Sequence, residues 1–146
     1  MRISPIIAAV VSVLTVFGFS SQRARGQAAT VVEISNVVQS SVGSKGIWNK
    51  AAVNQSLAVG DRIRTRQHSL AAVALKGLYT FRLDQNTTVG ISPGLESAIK
   101  AKLDLIGGAT FIFSREKNGE MDVKMPAANA ALRGTQLYAQ VLPNGK

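Results

Sequence analysis

The sequence predicts an all-β protein, a sandwich, barrel or solenoid-like roll of about ten short strands behind an N-terminal signal-peptide helix. Three observations predict it. Apolar and polar residues alternate in short runs, with no sustained helical periodicity. Gly, Asn, Pro and Ser clusters cut those runs at intervals of roughly 8–12 residues. The first 19 residues differ in character from everything that follows.

Met1-Arg2 opens the chain, and an apolar stretch runs from Ile3 to Phe19, interrupted only by small or turn-forming residues. A polar stretch, Ser20 to Gln27, comes next. A basic start, an apolar centre and a small-residue exit are the parts of a secretory signal. Small residues fit cleavage after Gly26 (with Ala24) or after Ala28 (with Gly26), and the first is preferred. Residues 1–26 are therefore expected to be a signal peptide and 28–146 one β-domain, periplasmic or secreted. The alternative is an uncleaved membrane anchor over residues 3–19, at the short limit for a span.

The full chain has 146 residues and a formal net charge of +9. Losing Arg2, Arg23 and Arg25 with the signal lowers that charge to +6. A hydrophobic share of 46% suits a folded domain rather than a disordered chain. The absence of cysteine excludes thiol catalysis, disulfides, a lipoprotein anchor and any Cys-based metal site. No apolar run of membrane-spanning length follows residue 26, so no span is expected in the mature chain.

The elements follow in order. Val31, Val32, Ile34, Val37 and Val38 read as one β-branched first strand, and Ser40 to Gly46 as a loop. Ser56 to Thr65 reads as two strand segments bent at Gly60-Asp61, since that dipeptide suits tight turns. After the bend Arg62, Arg64 and Arg66 alternate with Ile63 and Thr65. Ser69 to Leu75 and Leu78 to Leu83 flank Lys76-Gly77 as a hairpin, with Tyr79, Phe81 and Leu83 on its buried side. Thr87 to Ile91 and Ser97 to Ile106 read as strands. Gly107-Gly108 is expected to turn the chain into Ala109 to Phe113. Glu120 to Met125 is a strand, Ala127 to Leu132 has helical propensity, and Gln136 to Leu142 closes as the last strand.

For catalysis the inventory is poor, and the chain is expected not to be an enzyme. His68 is the sole histidine; beside it, Ser69 would point to the opposite face of a strand, so the two cannot form a nucleophile and base. No metal site and no cofactor are expected. Glu116, Glu120 and Asp122 read as a solvated hairpin, and Gly107-Gly108 lacks the Lys-Ser/Thr and helix of a phosphate loop.

The basic residues offer more. Arg62, Arg64 and Arg66 form a one-sided row at about 6.6 Å intervals, and Lys100 with Lys102 repeats the spacing. Such rows hold phosphate or carboxylate polymers. Nucleic acid is disfavoured, because a stacking site needs exposed aromatics and Phe81, Phe111 and Phe113 read as buried. Trp48 reads as a core or edge plug ahead of a carbohydrate platform.

Several segments together resemble a known domain. Leu57-Ala58-Val59-Gly60-Asp61-Arg62-Ile63-Arg64-Thr65 is followed by Ser69, by alternating Ala71, Val73 and Leu75, and by Phe81 and Leu83 before Asn86-Thr87. Later come Leu103 to Phe113 and Met125-Pro126-Ala127 through Arg133-Gly134-Thr135, and earlier Trp48-Asn49-Lys50-Ala51. This pattern resembles the FecR-type domain over roughly Val31 to Val141. The resemblance implies an extracytoplasmic, twisted antiparallel sandwich with some solenoid character. It implies structural roles for Trp48, Gly60, Asp61, Thr65, Ser69, Arg133, Gly134 and Thr135. Gly60 and Gly134 would sit where positive φ or close backbone approach is required, Asp61 and Thr135 would satisfy turn amides, and Arg133 would pair with a buried carboxylate or carbonyl.

In that family some members relay signals from outer-membrane transporters to sigma factors through a cytoplasmic segment. Here two residues precede the apolar segment, so the resemblance implies a stand-alone exported domain. The expected function is a non-enzymatic binding module in the periplasm or envelope, its partner an unidentified protein or an anionic envelope polymer. A membrane-anchored component of a sigma/anti-sigma system is the alternative. The family adds strands after the R-G-T strand, so the domain is expected to be minimal or C-terminally incomplete, with edge-strand association through Gln136 to Leu142.

Overall fold

The computed structural model describes residues 27–43, 45–75, 78–92, 101–115 and 120–145. The expected signal segment, the Lys76-Gly77 turn, the Glu116 loop and Lys100 lie outside the described residues. Within them the chain is all-β, without a helix. Twelve strands follow in order: β1 (Gln27–Ser35), β2 (Val38–Ser41), β3 (Asn49–Lys50), β4 (Ser56–Ala58), β5 (Arg62–Thr65), β6 (Leu70–Leu75), β7 (Tyr79–Leu83), β8 (Thr88–Ile91), β9 (Ala101–Ser114), β10 (Glu120–Lys124), β11 (Asn129–Arg133) and β12 (Gln136–Val141).

They form one curled sheet along the path β3-β2-β5-β8-β9-β7-β6-β1-β4, with β10 and β12 also flanking β9 and β11 beyond β10. All neighbours are antiparallel except β9 and β10, which run parallel. The fourteen-residue β9 joins two leaves. Its first half pairs with β8 and β10, its second half with β7 and β12. Both leaves supply one core: Val31, Val73, Phe81 and Ile112 from one, Ile63, Val89, Leu103, Met121 and Val123 from the other.

The bend in β9 is obligatory. A straight strand of that length spans about 43 Å, yet β10 begins six residues after Ser114 and lies beside Ala101. Six residues cover at most about 21 Å. The chain must therefore curl back, and it does so at Gly107-Gly108 without leaving the sheet. Gly108 has φ +86°, and a Cβ there would lie 2.5 Å from Thr87 Cα. The expected turn at this pair is thus a bend within one strand: it redirects the chain by one positive φ while pairing continues on both sides.

Two further expectations change. The β-branched stretch from Val31 to Val38 is two strands, not one. Asn36, at φ 62°, carries the chain from β1 in one leaf to β2 in the other, leaving Val37 exposed. The alanine-rich stretch expected to be helical contains β11, because pairing from Asn129 to Arg133 along β10 overrides a weak helical propensity. Elsewhere alternation holds. Tyr79, Phe81 and Leu83 are buried while Arg82 is exposed, and the β4–β5 break falls at Val59 to Asp61.

Candidate functional site

β5 presents its basic row outward, because Ile63 and Thr65 are buried in the core. Arg64 sits opposite Gln39 on β2, and Gln39 sits opposite Lys50 on β3. The Arg64 Nε donates to Gln39 Oε1 at 2.9 Å. Its guanidinium carbon lies 4.0 Å from the centroid of the half-buried Trp48 ring. Desolvation by this cover, then the charge of Arg66, lower the Arg64 pKa from its usual value. Arg66 is exposed.

Arg62 has different company. Across Gly90 it faces Asp104, which faces Lys124 in turn. Gly90 has no side chain to separate them: Arg62 Cγ and Asp104 Cβ both fall within 4 Å of where its Cβ would be. Lys102 is paired in register with Asp122. A groove of about 590 Å³ between these residues is lined by Lys102, Asp104, Asp122 and Lys124, two of each sign. The predicted basic residues therefore do not make one surface. Arg64 and Arg66, with Lys50, make a cationic edge; Arg62 and Lys102 belong to a charge-alternating face.

The family-motif residues hold the fold's junctions. Buried Asp61 accepts from Ala58 N at 2.9 Å and from Gly43 N at 3.0 Å, tying the β4–β5 turn to the loop after β2. The Thr65 hydroxyl donates to the Asp84 carbonyl and accepts from Thr87 N. Ser69 Oγ accepts from Val37 N at 2.9 Å and donates to Gln67 O at 3.1 Å. Ser69 is buried and His68, at φ 53°, exposed; both lie ahead of β6 rather than on a strand. Gly60 and Gly134 both have positive φ.

Two motif residues behave otherwise. Thr135 is exposed, and its contribution is a backbone carbonyl that accepts from Ser114 N at 2.8 Å. Arg133 is exposed opposite Glu120, because Ala130 and Leu132 take the core-facing positions of its strand. Among the described residues it has no buried partner of the expected kind.

One surface was not expected. Phe111 and Phe113 are half-buried on the outer face of β9, since Ile112 takes the inward position. Their rings make a T-shaped pair with centroids 4.4 Å apart, and the Arg82 guanidinium carbon lies 5.9 Å from the Phe113 centroid. In register, Arg82, Phe111 and Tyr138 form one cross-strand row. Strict alternation from Leu103 would keep Phe111 and Phe113 on the buried face. The phase shifts past the Gly107-Gly108 bend, where Ala109 and Thr110 are both buried, and no local sequence signal marks that shift.

Among the described residues no group of three or more His, Asp or Glu could hold a metal ion, and no helix is long and apolar enough to cross a membrane. Curled leaves, a bent shared strand and buried hydroxyl and carboxyl junctions define an all-β domain of one architecture. The chain matches the family model described as FecR protein over residues 61–145, more than half its length, and it belongs to that family. No curated protein and no solved structure matches it.

Proposed function

We propose that this chain is an exported, non-enzymatic FecR-like module that binds an anionic partner of the periplasm or cell envelope. The observation that carries the reading is the Lys50–Arg64–Arg66 edge, with Arg64 held in place by Trp48 and Gln39. A guanidinium already stacked and hydrogen-bonded loses less freedom when it meets a phosphate or carboxylate. Arg66, exposed just past the end of β5, adds a second charge.

The test is binding of the purified protein to heparin and to lipopolysaccharide at rising salt. Counterion release should weaken binding as salt increases. Replacing Arg64 and Arg66 with Gln should reduce affinity about tenfold or more, the expected loss of two charge-assisted contacts. Unchanged binding in that double variant would discard the anionic reading. Full-length, unprocessed protein in the cytosolic fraction of its own cell would discard export.

A further inference from the structure

We propose that the groove floored by Gly90 binds a free α-amino acid with an apolar side chain, its carboxylate on Arg62 and its ammonium on Asp104. The proposal does not rest on the anionic reading of the Lys50–Arg64–Arg66 edge. One cross-strand row defines the site. Arg62, Gly90, Asp104 and Lys124 stand in register on β5, β8, β9 and β10, and partners in register share a face.

Gly90 makes this row a site. A glycine inside a strand weakens it, and the fold does not demand one here. Its φ is not left-handed. A Cβ would meet Asp104 Cβ, Ile106 Cδ1 and Arg62 Cγ at 3.6, 3.8 and 3.9 Å, all ordinary contact distances. The missing side chain therefore leaves a methyl-sized notch, with Arg62 on one side and Asp104 on the other. The groove around it measures about 450 Å³, within the roughly 300–1,000 Å³ of small-molecule sites.

Charge and apolarity select the ligand. A polyanion would meet Asp104 in the middle of the row, and a polycation would meet Arg62 and Lys124 on either side of it. A zwitterion suits both signs. The Arg62 guanidinium presents the fork that grips a carboxylate. The Asp104 carboxylate has about four acceptor sites, enough for an ammonium beside Lys124. Two residues along β9 from Asp104, Ile106 is 39% exposed, and Met125 and Pro126 line the same groove. That apolar wall takes the ligand's side chain, which gains by leaving water.

The experiment is isothermal titration calorimetry of the natural protein with L-leucine and with its two halves. These are 4-methylpentanoate, which lacks the amine, and 3-methylbutylamine, which lacks the carboxylate. Saturable leucine binding is expected, with each half about tenfold weaker or more through loss of one charge-assisted contact. Arg62→Gln should erase the preference for leucine over the amine, and Asp104→Asn the preference over the acid. Both preferences are ratios within one variant, so a general loss of stability does not mimic them. Gly90→Ala, for which the strand has room, should fill the notch and weaken leucine about tenfold, while the thermal midpoint holds or rises. No saturable leucine binding, a half that binds as tightly as leucine, preferences unchanged in both charge variants, or unchanged leucine binding in Gly90→Ala overturns the proposal.

Discussion

The guanidinium of Arg64 lies over the ring of Trp48, 4.0 Å from its centroid, and neither residue is buried. Sixteen positions apart in sequence, they meet because β2 brings the β3 loop alongside β5. The ring shields one face of the cation and leaves the other toward solvent, so the contact both fixes the side chain and keeps it available.

Arg64→Met removes that cation–ring attraction and the bond to Gln39 while keeping an aliphatic stem. We expect a loss of about 0.5–1 kcal/mol in stability, typical of such contacts at half-exposed sites. Urea unfolding followed by the emission of Trp48, the single tryptophan, measures it. A blue shift of native emission in the variant would show instead that the ring has packed inward.

Thr87 is wholly buried, and its hydroxyl both donates to Ala109 O and accepts from Ala109 N, each at 3.0 Å. Thr87→Val keeps the shape but removes the acceptor of Ala109 N, while Ala109 O still accepts from Asp84 N. The expected cost is about 1–3 kcal/mol, read from the denaturation midpoint. A cost below a few tenths would mean that water reaches the Ala109 amide.

Gly108→Ala asks for a Cβ where Thr87 already stands, in a left-handed conformation. We expect at least ~2 kcal/mol of destabilisation. Gly107→Ala is the control: nothing lies within 4 Å of its would-be Cβ, so it should be near neutral. Equal effects from the two substitutions would mean that the bend is not placed at Gly108.

Phe81 is the largest wholly buried side chain among the described residues, and its neighbours Val73 and Ile112 pack from the flanking strands. Phe81→Ala should cost about 3–5 kcal/mol. Thermal unfolding followed by circular dichroism is the measurement, and a variant unfolded at 37 °C is within expectation for a domain of this size.

Alternation made β5 and β7 legible, because each presents one face to the core and the other to water. The turn at Gly60-Asp61 was legible for a local reason, the pairing of a permissive backbone with a carboxylate that can accept its amides. What sequence could not reveal depended on partners far away. Two glycines at 107–108 read as a turn, since nothing local says that Thr87 occupies the space beside them. Ala130 and Ala131 read as helix, since their strand identity comes from β10. The basic row was visible as a pattern, but its division was not. Asp104 reaches Arg62 only through the pairing of β8 with β9.

The position of β9 has a consequence for the order in which the chain can fold. Eight strands precede it, yet β7 and β8 are joined only through it. A chain synthesised or threaded from its N-terminus holds two partial sheets, each with an open side, until residues 101–114 arrive. Those last partners close both sheets at once. Until then the polypeptide has no complete core to commit to.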